Sequence, residues 1–194
     1  MPYTAAHKQQ TRARIVECAR MLFNRYGYDN VSIDRVMEEA ELTRGGFYNH
    51  FKSKEELFAA AVSSFLMGRG AQWRAEAGVD TSGPPRKAAR QMLAGYLSRK
   101  HLGDLEGQCP MIALPSDVAR ASAEVRAAYQ QLLVAMVSLF EGSLPGRRAA
   151  ARQKALVLAA LSVGGMVLAR TLPSSKLAED VREAAYKHGV KALG

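Results

Sequence analysis

A chain of 194 residues has room for one medium domain or for a small module joined to a larger one. Its 48% apolar content can build a real core, and the 23% of charged residues is ordinary. The net charge of +9 points to a polyanionic partner such as nucleic acid or an acidic membrane surface, and two cysteines exclude a disulfide framework and fit a reducing compartment.

Ala, Leu, Arg, Gln and Glu dominate, and β-branched residues rarely alternate, so the expected fold is all-α. The opening residues MPYTAAHKQQTRAR hold no apolar signal core. The longest apolar run, Ala155 to Ala169, carries Ser162, Gly164 and Gly165. It falls short of the ~20 residues that a membrane span takes. A soluble, cytoplasmic protein without a membrane partner is expected.

In chain order, Ile15, Ala19, Leu22 and Tyr26 recur at helical spacing, with Phe23 widening the stripe, so Thr11–Tyr26 reads as a first helix stopped by Gly27. Ser32 caps a short second helix to Ala40, with Asp34 in its first turn. Thr43 offers a fresh N-cap for a third helix, 43–49. Ser53, with Glu56 three residues on, makes a capping box for a fourth helix, which is expected to run past Phe65 towards Ala77. GVDTSGPP, 78–85, is the clearest linker. Further helices are expected at 86–101, 111–121, 122–142, 147–172 and 176–192, with a loop at 103–110 and a turn at 144–146.

The stretch LTRGGFYNHFKSKEEL, 42–57, sets two glycines among aromatic side chains with basic flanks. Two short helices joined by a tight turn have helix-turn-helix dimensions, and in that motif the second helix enters the major groove. Gly45 and Gly46 would let helix and DNA backbone come close. Phe47 and Phe51, four apart, share one face and anchor the helix from behind. Thr43, Arg44, Tyr48 and Asn49 are left on the outer face. Arg44 suits a guanine edge or a phosphate, and Asn49 an adenine; Tyr48, His50 and Lys54 suit phosphates, Lys54 beside the N-terminus of the fourth helix. The alternative is an aromatic-rich corner of a helical core.

Residues 15–58, IVECARMLFNRYGYDNVSIDRVMEEAELTRGGFYNHFKSKEELF, resemble the N-terminal domain of TetR-type transcriptional regulators. Phe23, Gly27, Ser32, Thr43, Gly45, Tyr48, His50, Phe51, Lys54 and Leu57 sit at that family's characteristic places. The resemblance implies a DNA-binding head at 1–52 and a helical effector-binding and dimerisation domain at 53–194. It implies a homodimer on a double-stranded DNA operator, repression of nearby genes, and release by a small effector. Ser32 joins the DNA-binding set on the same ground. The family usually has Gly in the turn where this chain has Glu41, so either the turn differs or Glu41 points away.

Paired half-sites require a dimer surface. The expected one is the helix at 147–172 with the last helix, through Leu156, Ala160, Val163, Val167 and Arg170 and through Leu161, Gly164, Gly165 and Leu168. Phe65, Trp73, Met92, Tyr96, Met111, Leu114, Met136, Phe140 and Met166 are the candidates to line an effector cavity, as large apolar and soft side chains suit adaptable binding. Cys109, in the loop GQCP, is a candidate sensor of electrophiles or oxidants; Cys18 reads as core. His7, His50, His101 and His188 are scattered, with no metal-spaced pair, phosphate loop or nucleophile elbow, so neither an enzyme nor a cofactor is expected. The rival within the DNA-binding class is a nucleoid-associated or division-control protein on the same scaffold that ignores small molecules.

Overall fold

A computed structural model describes residues 4–194. Among them every regular element is an α-helix: α1 (Ala5–Tyr26), α2 (Ile33–Glu39), α3 (Arg44–Phe47), α4 (Lys54–Ser64), α5 (Arg69–Glu76), α6 (Pro85–Tyr96), α7 (Arg99–Gly103), α8 (Pro110–Ala113), α9 (Pro115–Arg120), α10 (Ala123–Glu141), α11 (Arg148–Thr171) and α12 (Lys176–Leu193). The all-α expectation holds. The helices form two compact units, one of residues up to Met67 with Leu105–Gln130, the other of Gly68–Asp104 with Gln131–Gly194.

In the first unit α1 packs against α2, α4 and α8. Ile15, Ala19 and Phe23 of α1 are sealed in its core with Val31, Met37, Phe47, Phe51, Leu57 and Phe58. The α1 stripe thus lies where its spacing put it. The helix begins earlier than expected, however, because the Thr4 hydroxyl accepts from His7 N–H and caps it.

Polar side chains on the other face of α1 hold the segment after residue 104. Arg20 is 3% exposed, chelates Glu17 through two nitrogens and donates to the Glu106 carbonyl at 2.6 Å. Asn24 donates to the carbonyls of Glu106 (3.0 Å) and Gln108 (2.7 Å). A buried guanidinium needs such partners, since an uncompensated buried charge is destabilising by several kcal/mol. The Tyr28 N–H meets Asp117, and Ser122 N–H meets Glu55.

Three helices are shorter than their sequence pattern suggests. The fourth ends at Ser64, and Gly68, at φ −95° and ψ −113°, separates it from α5. The fifth breaks at Leu97, and the Ser98 hydroxyl caps α7 by accepting from His101 N–H. The sixth is split at Leu114 because Pro115 starts a new helix at N1.

In the second unit α12 packs along α11 and on α6. By length and composition α11 could cross a bilayer, although the apolar run inside it looked too short; here it is packed on α12. Two glycines set the close approaches. A β-carbon at Gly165 of α11 would come within 2.8 Å of Ala185 Cβ on α12, and one at Gly189 within 2.7 Å of Leu93 Cδ2 on α6. The Ala185 methyl cannot rotate away. Gly165→Ala is therefore expected to destabilise the chain by about 1–3 kcal/mol, read as a lower urea midpoint with an unchanged slope; an unaltered midpoint would mean that the two helices are not held at this distance.

Candidate nucleic-acid interface

The turn between α2 and α3 closes in a Schellman motif. Leu42 N–H donates to Met37 O (2.8 Å) and Glu41 N–H to Glu38 O (2.9 Å). That motif needs a left-handed residue at its centre, which is Glu41 at φ 54°, the one such non-glycine among the described residues. Of the two options for Glu41, the turn is thus preserved and the side chain bears the strain, roughly 1 kcal/mol. Its carboxylate is largely exposed and 3.9 Å from Arg14.

Thr43 stands at the N-cap of α3 with extended backbone, but its hydroxyl makes no cap bond, contrary to expectation. Only Arg44–Phe47 are regular α-helix; Asn49, His50 and Phe51 N–H groups continue the winding by bonding to Gly46 and Phe47 carbonyls. Phe47 and Phe51 are buried with ring centroids 5.7 Å apart. Ser32, Thr43, Arg44, Gly45, Tyr48 and Asn49 are exposed, and Tyr48 retains 60% of its surface. The expected outer face therefore exists. A β-carbon at Gly45 would meet nothing, and one at Gly46 only ordinary contacts with Met37 and Thr43, so no packing inside the chain calls for these glycines.

Arg44 donates to Asp34 at 2.8 Å across α2 and α3, and both side chains are more than half exposed. A pair this exposed contributes ~1 kcal/mol or less, so the guanidinium is easily released. Lys54 differs from the free cation expected: its ammonium lies 4.0 Å over the half-buried Tyr28 ring, and burial lowers its pKa, with Asp29 and Asp117 opposing. The α4 N-terminus beside it is occupied internally. Glu56 N–H donates to the Ser53 hydroxyl, and the Glu56 carboxylate reaches back to Lys52 N–H. The capping box is present, shifted by one residue at its second bond.

His50 sits differently from the other outer residues. With His7, Lys8, Thr11, Leu42, Thr43, Gly46 and Asn49 it lines a cavity of about 500 Å³ between the first turns of α1 and α3. Its Nδ1 is buried without a hydrogen-bond partner. Burial first, then Lys8 and Arg12, hold its pKa below the ordinary histidine value. Sequence reasoning missed the α1 side of this cavity. The signal was the cluster HKQQTRAR, whose helical start was not recognised.

The proposed effector residues are all buried but fall in different units: Phe65, Cys109 and Met111 in the first, Trp73, Met92, Tyr96, Met136, Phe140 and Met166 in the second. Cys109, expected in a loop, is 3% exposed at the N-cap of α8. Trp73 stacks edge-on to Tyr96 (6.1 Å) and to His101 (4.6 Å), a histidine that the sequence did not single out. Gly95 makes room for this indole: a β-carbon there would lie 3.3 Å from Trp73 Cζ2. Cys18 is buried as expected, and burial raises its pKa. No group of three or more potential metal ligands occurs among the described residues.

A short helix with an exposed polar face, backed by phenylalanines and preceded by a left-handed turn, has helix-turn-helix geometry. Residues 15–61 match the family model described as bacterial regulatory proteins, tetR family. The Transposon Tn10 TetC protein of Escherichia coli is 40% identical over 65 residues, 31% of this chain and 33% of that protein. The matched stretch spans about a third of the length of such curated relatives. Solved structures match over nearly the whole chain. NemR of E. coli in its reduced form has a TM-score of 0.74 at 20% identity, covering 94% of this chain and 96% of that one. A TetR-family transcriptional regulator from Streptomyces coelicolor has 0.65 at 26%, covering 95% and 94%.

The buried His101 gives the second unit an acid-sensitive point. Burial pushes its pKa down to about 4, with Asp104 raising and Arg69 lowering it. The folded pKa lies below the unfolded one, so the unfolded chain binds the proton first. Stability is then full above about pH 6.5 and falls towards pH 4, by about 3 kcal/mol. His101→Phe is expected to flatten the melting temperature between these pH values; a slope equal to wild type would assign the loss to other groups.

Proposed function

We propose that the chain is a sequence-specific, DNA-binding transcriptional regulator, a homodimeric repressor in the cytoplasm that leaves a palindromic operator when a small effector binds. The observation that carries this reading is the outer face of α3. Arg44, Gly45, Tyr48 and Asn49 are exposed together, while Phe47 and Phe51 are buried behind them. Gly45 has no neighbour within the chain, and the close approach of a DNA backbone accounts for it. Arg44 is held only by an exposed pair with Asp34 and can exchange that carboxylate for guanine O6 and N7. Ser32, Thr43 and Tyr48 supply hydroxyls for phosphates, Asn49 an amide for an adenine, and His50 and Lys54 add positive or polar contacts to the backbone.

Dimerisation is assigned to α11 and α12. Leu156, Val157 and Leu168 of α11 and Leu177 of α12 are exposed, and Leu161, Val163 and Val167 half-buried, in an apolar array that a second copy would cover. For the effector, Trp73, Tyr96, Met92, Met136, Phe140 and Met166 in the second unit are buried, and their chemistry suits a small apolar molecule. In the first unit, Phe65 and Met111 are the other candidates, and the Cys109 thiol is the proposed point where an electrophile would add.

Selection of a binding site from random duplexes, followed by titration, tests the DNA reading. Arg44→Ala is expected to relax discrimination by ~1–3 kcal/mol at one position of each half-site. Tyr48→Ala is expected to weaken all duplexes alike, and failure of the wild-type protein to enrich any sequence would exclude sequence-specific binding. Occupancy of hundreds of chromosomal sites in place of a few would favour the nucleoid-associated alternative. Leu156→Glu with Leu168→Glu is expected to shift the chain from dimer to monomer in sedimentation velocity; a dimer unaffected by both would move the interface elsewhere.

A further inference from the structure

The cavity between α1 and α3 is not explained by reading bases. Its lining is basic and polar, from Lys8, Thr11 and His7 on α1 and from Thr43, Asn49 and His50 on the α3 side, with Leu42 and Gly46 the apolar members. No carboxylate is among these residues. A half-enclosed space of about 500 Å³, ringed by an ammonium, hydroxyls and imidazoles, is chemically suited to a phosphate oxyanion. It borders the exposed recognition face through Thr43 and Asn49, so the oxyanion it fits is a phosphodiester of the duplex that α3 contacts.

We propose that this cavity seats one backbone phosphate of each half-site against Lys8, Thr11 and His50, and that His50 takes up a proton as the phosphate docks. The proposal rests on the DNA-binding reading above and adds a regulatory consequence: affinity for DNA rises as pH falls. The charged and titratable groups facing His50 are His7, Lys8 and Arg12 of α1; Thr43, Gly46 and Asn49 on the other side carry no charge. In the free chain nothing stabilises an imidazolium there. The two cations oppose it, the side chain is partly desolvated, and Nδ1 has no acceptor for a second ring proton. A docked phosphate reverses each of these conditions. Its charge offsets Lys8 and Arg12, and its oxygens accept from the ring. The bound state therefore holds more protons than the free state near neutral pH, and linkage requires binding to strengthen on acidification.

Because a phosphate seat does not depend on base sequence, a random-sequence 40-base-pair duplex at low salt is a sufficient probe. Wild-type protein is expected to bind it about tenfold more tightly at pH 5.5 than at pH 8, the effect of one unit of pKa rise. His50→Gln keeps size and polarity and is expected to abolish most of that slope, read as the ratio of affinities at the two pH values. The imidazole Cε1–H resonance of His50, followed by NMR, is expected to titrate at higher pH with the duplex than without, and not to move with millimolar inorganic phosphate alone. A pH-independent wild type, a slope retained in His50→Gln, or a His50 titration unmoved by the duplex would each overturn the proposal. Absence of duplex binding at every pH would instead remove the DNA-binding reading on which it stands.

Discussion

The recognition face exists because two phenylalanines are buried behind it. A helix of four residues cannot persist on its own, since nucleation fixes several residues for a single hydrogen bond. Phe47 and Phe51 are each almost fully removed from solvent, and burial of such a ring is worth about 2–3 kcal/mol. Both rings point the same way from one turn of chain, so the opposite side must carry Arg44, Gly45, Tyr48 and Asn49. The sequence alternation of aromatic and polar residues becomes a division between anchor and reader. Removing the anchor would release the reader even though no DNA-facing group had changed.

Against this stands one local conflict. The Schellman turn that delivers the chain to α3 requires positive φ at residue 41, and the residue there is Glu. A glutamate in the left-handed region is strained, but glycine would raise the entropy of the unfolded chain, so the two terms nearly offset each other. The turn survives because Leu42 and Glu41 N–H groups both find carbonyl partners on α2, and α2 is itself fixed by Val36 and Met37 in the core. Packing overrides the residue's preference, at a position whose side chain costs the core nothing because it lies in solvent.

Much of the head could be read in advance because its determinants are local. Ser32 and Ser53 cap helices within three residues, and the α1 stripe repeats every turn. What escaped the reading was non-local or aperiodic. The attachment of 105–109 to α1 runs through Arg20 and Asn24 to carbonyls more than eighty residues away, and carbonyls have no sequence signature. The end of α4 was signalled only by Ser63, Ser64, Gly68 and Gly70, which strong helix formers on both sides outweighed in the sequence pattern. Cys109 was placed in a loop because its neighbours are Gly, Gln and Pro; Asn24 clamps the Gln108 carbonyl beside it, and the thiol is buried. For the site, the exposed face of α3 was legible from spacing, whereas the α1 side of the cavity required knowing that α1 starts at Ala5.

The extra turns of α1 also bear on how affinity and specificity are divided. Thr4 caps the helix, so Lys8 and Thr11 are carried on a continuous rod whose lower half is locked into the core at Ile15, Ala19 and Phe23. Groups on such a rod have little freedom to follow a base sequence, but they are well placed to fix the distance to a uniform backbone. Arg44 is the opposite case, on a single turn of helix and paired only through an exposed carboxylate that it can leave. On the proposed reading, the rigid set would register phosphates and the loosely held set would sample base edges, and these are different physical devices. His50 lies where they meet, in the chain of α3 but in the cavity of α1. On the proposed DNA-binding reading, a change in its charge would alter how firmly a duplex is gripped and leave the proposed base contacts of Arg44 and Asn49 unchanged.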